Sequence, residues 1–233
     1  MNLLPLALSA HASAWNPAGV PGGEEGQGCP ALDVLCRFCG LDAAGWQEPF
    51  HLDGDHDDAS PGNRVPACPL CHLCQHLDRP RIHEEAALIW LPQVSQAAVI
   101  ALARAAHLVL HAHGEPAHMG RGRPVRDTPA LRAAWAACHA LRERAASAEE
   151  RLGSASPLDF AAALLALSPA ARARGAVLLR GLRLLPLGRL YQQGRDVYPQ
   201  VLDSWAWAAT ATPAAGRPAA PPSPSPGPAP AAA

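Results

Sequence analysis

The chain has 233 residues, of which 49% are hydrophobic and 17% are charged, and its formal net charge at neutral pH is −1. A chain of this length can bury one core of ordinary size with an appendage, or two small cores. The near-zero net charge argues against a protein that binds a polyanion through bulk charge. No run of about 18 apolar residues is present, so the sequence predicts no membrane-spanning helix.

The N-terminal segment, residues 1–28, ends in a stretch rich in glycine and proline, "NPAGVPGGEEGQG" (16–28), that predicts a loop. The first residues contain a short apolar run and an "ASA" that resembles a cleavage site, but they lack the positively charged start of a secretory signal peptide. Cysteine spacings typical of metal sites also favour a reducing compartment. We therefore expect a cytoplasmic protein.

Two CxxC pairs dominate the next region, residues 29–120, which we predict to be a metal-binding core with a following helix. Cys36 and Cys39 form the first pair, and Cys68 and Cys71 form the second after a gap of 28 residues. Four thiolates suffice for a closed, structural tetrahedral zinc site, and a gap of this length suits a β-hairpin between the pairs. Cys74 is a fifth thiol, and it leaves an iron–sulfur cluster as an alternative.

An acidic stretch lies within the gap between the two cysteine pairs. Its carboxylates, Asp53, Asp55, Asp57 and Asp58, suggest a calcium loop. Such a loop, counted from Asp53, requires glycine at its sixth position and glutamate at its twelfth, and these positions hold Asp58 and Arg64. A polar loop rich in turns is therefore the expected structure.

Two long helices are predicted after the cysteine region. The first follows Ser95, a good N-cap, and ends near Gly114. The second begins at Thr128-Pro129, a favourable cap and first-turn pair, and ends at Gly153. Between them, the stretch "GRGRPVRD" (120–127) predicts a solvated basic link.

The remainder of the helical region, 121–210, contains a third predicted helix and an apolar segment. The helix begins at Ser156-Pro157 and presents an apolar face of Phe160, Leu164 and Leu167. The segment "ARGAVLLRGLRLLPLGRL" (173–190) is interpreted as a broken helix, interrupted near Pro186. Residues 211–233 are rich in proline and alanine and predict a disordered tail.

The gap between the cysteine pairs resembles the ββα-metal nucleases of the HNH class. The matching positions are Phe50-His51, Asn63 and the CxxCH of Cys68 to His72. The resemblance implies that His51 stands where active members carry the general base and that His72 stands where they carry a metal ligand. Phe50 occupies the other metal-ligand position, and a phenyl ring has no lone pair to donate. We therefore expect a nuclease-like shape without nuclease activity, with His51, Asn63 and His72 as vestigial positions.

A second resemblance extends over about residues 8–207. The sequence contains, in order, "CRFCG", "HLDGDHDD", "GNRVPACPLCHLCQHL", "LIWLPQVSQAAVIALARA", "GLRLLPLGRL" and "VYPQVLDSW". In combination these stretches resemble the IcmJ family, also called DotN, of type IVB secretion systems. The CxxC pairs alone are widespread, whereas their combination with the WLPxxSQ and PQxxDxW stretches is specific.

The IcmJ resemblance implies a small HNH-like zinc core. Together with the mainly helical C-terminal half and the disordered tail predicted from composition and periodicity, this core gives an expected α+β fold, and the tail is an addition to the family pattern. The resemblance implies a non-catalytic, cytoplasmic bacterial subunit of a coupling complex, peripheral to the inner membrane. The implied structural Zn²⁺ lies on Cys36, Cys39, Cys68 and Cys71, and the family's extra cysteine, matched by Cys74, is a possible substitute for Cys71. The implied partners are the C-terminal tail of the coupling ATPase (DotL-like), a DotM-like component and an IcmS–IcmW-like adaptor pair. A metal-dependent DNA endonuclease and a zinc-dependent nucleic-acid-binding module are the alternatives.

Overall fold

The computed structural model describes residues 2–11, 35–118, 127–168, 171 and 180–210. Its strands are β1 (Glu48–His51), β2 (Arg64–Ala67), β3 (Ala86–Trp90), β4 (Leu182–Pro186), β5 (Tyr191–Gln192) and β6 (Arg195–Asp196). Its helices are α1 (Pro69–His72), α2 (Ile82–Glu85), α3 (Gln96–Ala112), α4 (Pro129–Leu152), α5 (Pro157–Ala166) and α6 (Tyr198–Thr210), and a 3₁₀ turn, Leu73–Gln75, follows α1. This mixture of helices and small antiparallel sheets is compatible with the predicted α+β class. The predicted loop at 16–28, most of the basic link and the tail from 211 lie outside the described residues.

The predicted hairpin between the two cysteine pairs is present. β1 and β2 pair antiparallel, with Glu48 opposite Ala67 and His51 opposite Arg64. Among the described residues from 35 to 92, the α-helices, α1 and α2, are each four residues long. This part of the chain is therefore built from short elements.

Three of the four longer helices, α3, α4 and α5, begin where their capping residues predict. The side chains of Ser95, Thr128 and Ser156 each accept a hydrogen bond from the backbone N–H three residues later, at 3.2, 3.2 and 3.3 Å. Each bond satisfies one N–H that has no partner within its own helix. Gly153 ends α4 with φ of 78°, a conformation that glycine adopts without strain.

The face predicted for the third helix is buried only in part. Phe160 and Leu164 pack against the main core from α5. Leu167 follows the last residue of the helix and is 38% exposed. Its inclusion in the buried face was therefore wrong, because the helix ends before it.

The interpretation of residues 173–190 as a broken helix is wrong for its described part. Residues 182–186 form β4, which pairs antiparallel with β3 so that Leu184 lies opposite Leu88. Both leucines are fully buried, and burying such a side chain contributes about 1.5–3 kcal/mol. Pro186 lies opposite Ala86, and the N–H of Leu187 after it donates to the carbonyl of Glu85 at 2.7 Å, so the proline does not interrupt the bonding between the strands. A short apolar run fits a buried strand as well as a helix, and a partner strand elsewhere in the chain decides between them.

The other edge of β4 is covered by a side chain of α3. Gln96 is buried, its Nε2 donates to the carbonyl of Leu184 at 2.8 Å, and its Oε1 accepts from the N–H of Leu184 at 2.8 Å. The amide thereby takes the place of a third strand at this point and satisfies two buried backbone groups.

The last helix, α6, fastens the C-terminal part of the described chain to the segment after the first cysteine pair. Trp205 is buried, and its Nε1 donates to the carbonyl of Ala43 at 3.3 Å. Trp46 donates in turn from Nε1 to Ser204 Oγ at 3.0 Å. The predicted metal region is therefore part of the main core.

Candidate metal centre

The first cysteine pair lies on a tight turn. The N–H of Cys36 donates to the carbonyl of Leu41 at 2.8 Å, and the N–H of Gly40 donates back to the carbonyl of Cys36 at 2.9 Å. Gly40 has φ of 71°, in the left-handed region that favours glycine. The turn thereby holds Cys36 and Cys39 on one side of the loop.

The hairpin supplies the second cysteine pair. Cys68 follows the last residue of β2 and stands at the cap position of α1, and Cys71 lies within that helix. The N–H of His72 donates to the carbonyl of Cys68 at 3.0 Å and closes the first helical turn. Strand pairing and one helical turn therefore set the direction of both thiols.

The four sulfurs of Cys36, Cys39, Cys68 and Cys71 lie within 4.8 Å of one another. The Sγ atoms of Cys39 and Cys68 are 3.7 Å apart. Four thiolates around one tetrahedral ion with bonds of about 2.3 Å are spaced by about 3.8 Å, so the donor set fits a thiophilic ion. Three of the four cysteines are buried and Cys39 is half-buried, as expected of a closed site.

The four thiols are electrostatically coupled. The pKa of Cys39 lies far below its ordinary value because the thiols of Cys36, then Cys68 and Cys71, hydrogen-bond to its sulfur. The pKa values of Cys68 and Cys71 are raised, chiefly by their hydrogen bonds to Cys36 and Cys39. From α3, Arg104 Nη1 also reaches Cys39 Sγ at 3.4 Å. A divalent cation that replaces the protons of these hydrogen-bonded thiols would bind all four sulfurs at once.

Among the described residues, two further cysteines lie outside this set. Cys74 is fully buried, and burial raises the pKa of its thiol well above the ordinary range. Its carbonyl accepts from the N–H of Ser9, which ties the N-terminal segment to this region. Cys138 faces the interior from α4, and burial raises its pKa to about 11. Both behave as packed, unreactive thiols in this arrangement.

The nuclease-like positions are distributed around the β1–β2 hairpin. Phe50 is buried and packs against Phe38, with ring centroids 4.4 Å apart, so it belongs to the core. His51 is 1% exposed, and its backbone N–H and carbonyl both pair with the side-chain amide of Gln75 at 3.2 Å. His72 is half-buried, and its ring centroid lies 6.3 Å from that of Phe50.

Asn63 holds the acidic loop together. Its Nδ2 donates to Asp53 Oδ1 at 2.8 Å and to the carbonyl of Asp58 at 3.0 Å, while its Oδ1 accepts from the N–H of Asp53 at 3.1 Å. Residues 52–63 form a polar loop of turns, which confirms that expectation.

The sequence interpretation missed a group of histidines beside the cysteine centre. The ring of His56 lies 4.3 Å from that of His51 and 4.9 Å from that of His76, and the rings of His72 and His76 are 4.3 Å apart. Glu48 Oε2 lies 2.7 Å from His72 Nδ1. The four-residue spacing of His72 and His76 was the available sequence signal, because residues so spaced along a helical turn are neighbours.

Burial keeps two of these rings neutral near pH 7. It lowers the pKa of His56 to about 4, with His51 and His72 as further causes, and it lowers the pKa of His76 well below the ordinary value. Neutral imidazoles are the form in which histidine binds metals.

In the part of the chain that the structure describes, no helix is both long and apolar enough to cross a bilayer. No protein-family model matches the chain, and no curated protein matches it significantly.

Proposed function

We propose that this chain is a non-catalytic, zinc-stabilised subunit of a type IVB secretion coupling complex, or of a related conjugation complex. In this proposal it binds the C-terminal extension of the coupling ATPase and acts as a scaffold for the adaptor components. The IcmJ resemblance in the sequence suggests the role, and the site geometry is compatible with it.

Position 50 carries the non-catalytic part of the proposal. Phe50 is 6% exposed and packed against Phe38, so the side chain at position 50 offers no oxygen or nitrogen ligand to a catalytic ion. The four cysteines are nevertheless kept together. A chain that keeps the four cysteines but lacks a metal ligand at position 50 is better suited to binding a partner protein than to hydrolysing DNA.

Two observations support a nuclease-like scaffold around zinc. The order of hairpin, short helix and flanking CxxC pairs is the order expected of the ββα-metal core. A closed set of four thiolates is the usual donor set of structural zinc. Such a centre contributes folding free energy and lets a small region present a rigid surface to a flexible tail.

Trp207 is a candidate for the contact with the ATPase tail. It is 44% exposed on α6, whereas its neighbour Trp205 is 2% exposed and belongs to the core. Exposed tryptophans are enriched among the residues that dominate binding energy. Leu102 is exposed to a similar degree, 47%, on α3 and serves as a matched control.

The proposal is tested by calorimetric titration of the full zinc-loaded chain with a peptide that spans the C-terminal extension of the coupling ATPase encoded nearby. We expect a one-to-one complex that is weakened at least about tenfold by Trp207→Ala, about 1.4 kcal/mol, and unchanged by Leu102→Ala. Absence of binding by a folded, zinc-loaded chain would refute the proposal. Equal effects of the two variants would remove Trp207 from the interface.

The gathering of His51, His56 and His72 is the observation that favours the alternative, a metal-dependent DNA endonuclease. Incubation of the chain with plasmid DNA and Mg²⁺ or Mn²⁺ decides between the two functions. We expect no cleavage. Cleavage that disappears in His51→Ala would establish the nuclease. DNA binding without cleavage, falling steeply with salt, would indicate the nucleic-acid-binding module instead.

A further inference from the structure

A cationic side chain from α3 lies against the four-cysteine centre. We propose that Arg104 is the charge-compensating outer partner of this centre and that it increases the affinity of the four thiolates for a divalent ion. This role rests on the zinc-stabilised part of the proposed function, and it adds to that function a positioning residue outside the ligand set.

The net charge of the metal-loaded centre is the first argument for this role. Four thiolates exceed the charge of one divalent ion by two negative charges. Cys36, Cys68 and Cys71 each have 0% exposure, so most of this charge is withdrawn from water. A buried net charge is costly unless an oppositely charged or hydrogen-bonding group lies against it.

The position of Arg104 is the second argument. Its Nη1 lies 3.4 Å from Cys39 Sγ, close enough for an N–H group to donate to the sulfur. Cys39 is the half-buried member of the set, and the N–H of Leu41 also hydrogen-bonds to it. A guanidinium remains charged throughout the pH range of folded proteins, so this donor is always charge-assisted.

Contacts between α3 and α6 hold Arg104 in this direction. His107 Nδ1 lies 2.9 Å from the hydroxyl of Tyr198, and His111 Nε2 lies 2.6 Å from Asp203 Oδ1. Arg104, His107 and His111 follow one another at spacings of three and four residues, so they share one face of the helix. The two contacts with α6 therefore fix the rotation of α3 that turns Arg104 toward the cysteines.

The test measures the affinity of the full chain for Zn²⁺ by competition with a chelator. Arg104→Gln removes the charge and should weaken zinc binding about 10–100-fold, as the loss of an outer partner of a metal site does. Arg104→Lys keeps the positive charge and should weaken it less. The control Arg132→Gln replaces an arginine of α4 with 59% side-chain exposure and should leave the affinity unchanged.

The absorption spectrum of the Co²⁺-loaded chain provides a readout that a purely structural role of Arg104 would not change. An N–H group that donates to a thiolate stabilises the sulfur lone pair, so it raises the energy of the charge-transfer band from sulfur to the metal. Loss of this donor in Arg104→Gln should therefore shift the band to longer wavelength. The band should stay in place in Arg132→Gln.

Arg104→Met keeps the unbranched stem of the side chain and replaces Arg104→Gln in both measurements if that variant does not fold. Unchanged zinc affinity or an unshifted band in the folded variant would overturn the role of Arg104. A loss of affinity in Arg104→Lys as large as that in Arg104→Gln would overturn the role of its charge. A wild-type chain that binds no zinc would instead overturn the zinc centre itself, so the two failures are distinguishable.

Discussion

Replacement of Cys36 by serine removes one of the four sulfurs that lie within 4.8 Å of one another. Structural zinc binds such sites with about 10–16 kcal/mol at pH 7, so the loss of even a quarter of that free energy amounts to about 3–4 kcal/mol. Whole domains are stable by only about 5–15 kcal/mol. For a chain of this size a loss of 3–4 kcal/mol corresponds to a fall in Tm of about 6–16 °C.

Cys74→Ser is the matched control for Cys36→Ser. Cys74 is also fully buried and receives the same exchange of sulfur for oxygen, but it lies outside the four-sulfur set. Burying its hydroxyl should cost about 1–3 kcal/mol and leave the tightly held zinc in place.

The assay combines elemental analysis after dialysis against a mild chelator with thermal unfolding followed by circular dichroism. We expect Cys36→Ser to lose the chelator-resistant zinc and to unfold early or aggregate, and Cys74→Ser to keep that zinc. If Cys36→Ser holds one resistant zinc ion and melts together with Cys74→Ser, then Cys36 is not a ligand. If Cys74→Ser also loses the ion, then Cys74 takes part in the site.

Three further predictions concern the scaffold, and each is measured as the free energy of unfolding in urea. A Cβ at Gly188 would overlap backbone atoms of the turn after α3, and φ there is 82°, so Gly188→Ala should cost about 2–5 kcal/mol. The control Gly194→Ala should cost about 1–2 kcal/mol, because φ is 78° but the space around Gly194 is open. Equal costs would contradict the close contact between Gly188 and that turn. Gln96→Ala should cost about 2–4 kcal/mol because it leaves the backbone N–H and carbonyl of Leu184 buried without partners. Gln96→Glu still accepts a hydrogen bond but cannot donate one, so its stability should lie between those of the wild type and Gln96→Ala. If Gln96→Ala left the stability unchanged, β4 would not need the hydrogen bonds of this side chain. Burial lowers the native pKa of His107 to about 3, below the unfolded value of about 6.5, so the unfolded chain takes up the proton first and stability falls as the pH falls from 6.5 toward 3. Between pH 7 and pH 5 the wild-type chain should lose about 2 kcal/mol more than His107→Gln, and parallel pH profiles would rule out this contribution.

Structural features that depend on residues close together in the chain could be predicted from the sequence. The side chains of Ser95, Thr128 and Ser156 each cap a backbone N–H only three residues later, so they predict the helix starts independently of the rest of the fold. The CxxC pairs likewise predicted the hairpin between them, because four thiols can meet only if the intervening chain folds back.

Contacts between residues far apart in the chain could not be predicted from the sequence. β4 was taken for part of a helix because its apolar run is compatible with both structures, and its pairing with β3 brings Leu184 against Leu88. The amides of Gln75 and Gln96 complete backbone hydrogen bonding 24 and 88 residues away. No local pattern marks a polar side chain for such a task, because its partner is defined only once the strands are in place.

The sequence by itself determined the four cysteines as one donor set and the starts of α3, α4 and α5, because each depends on residue type and short spacing. Only the tertiary structure decided that His56 comes back beside His72 and His76, and that Glu48 lies behind His72. The physical reason is that such contacts depend on distances of a few ångströms between side chains. Strand register and turn geometry set those distances, and spacing along the chain does not.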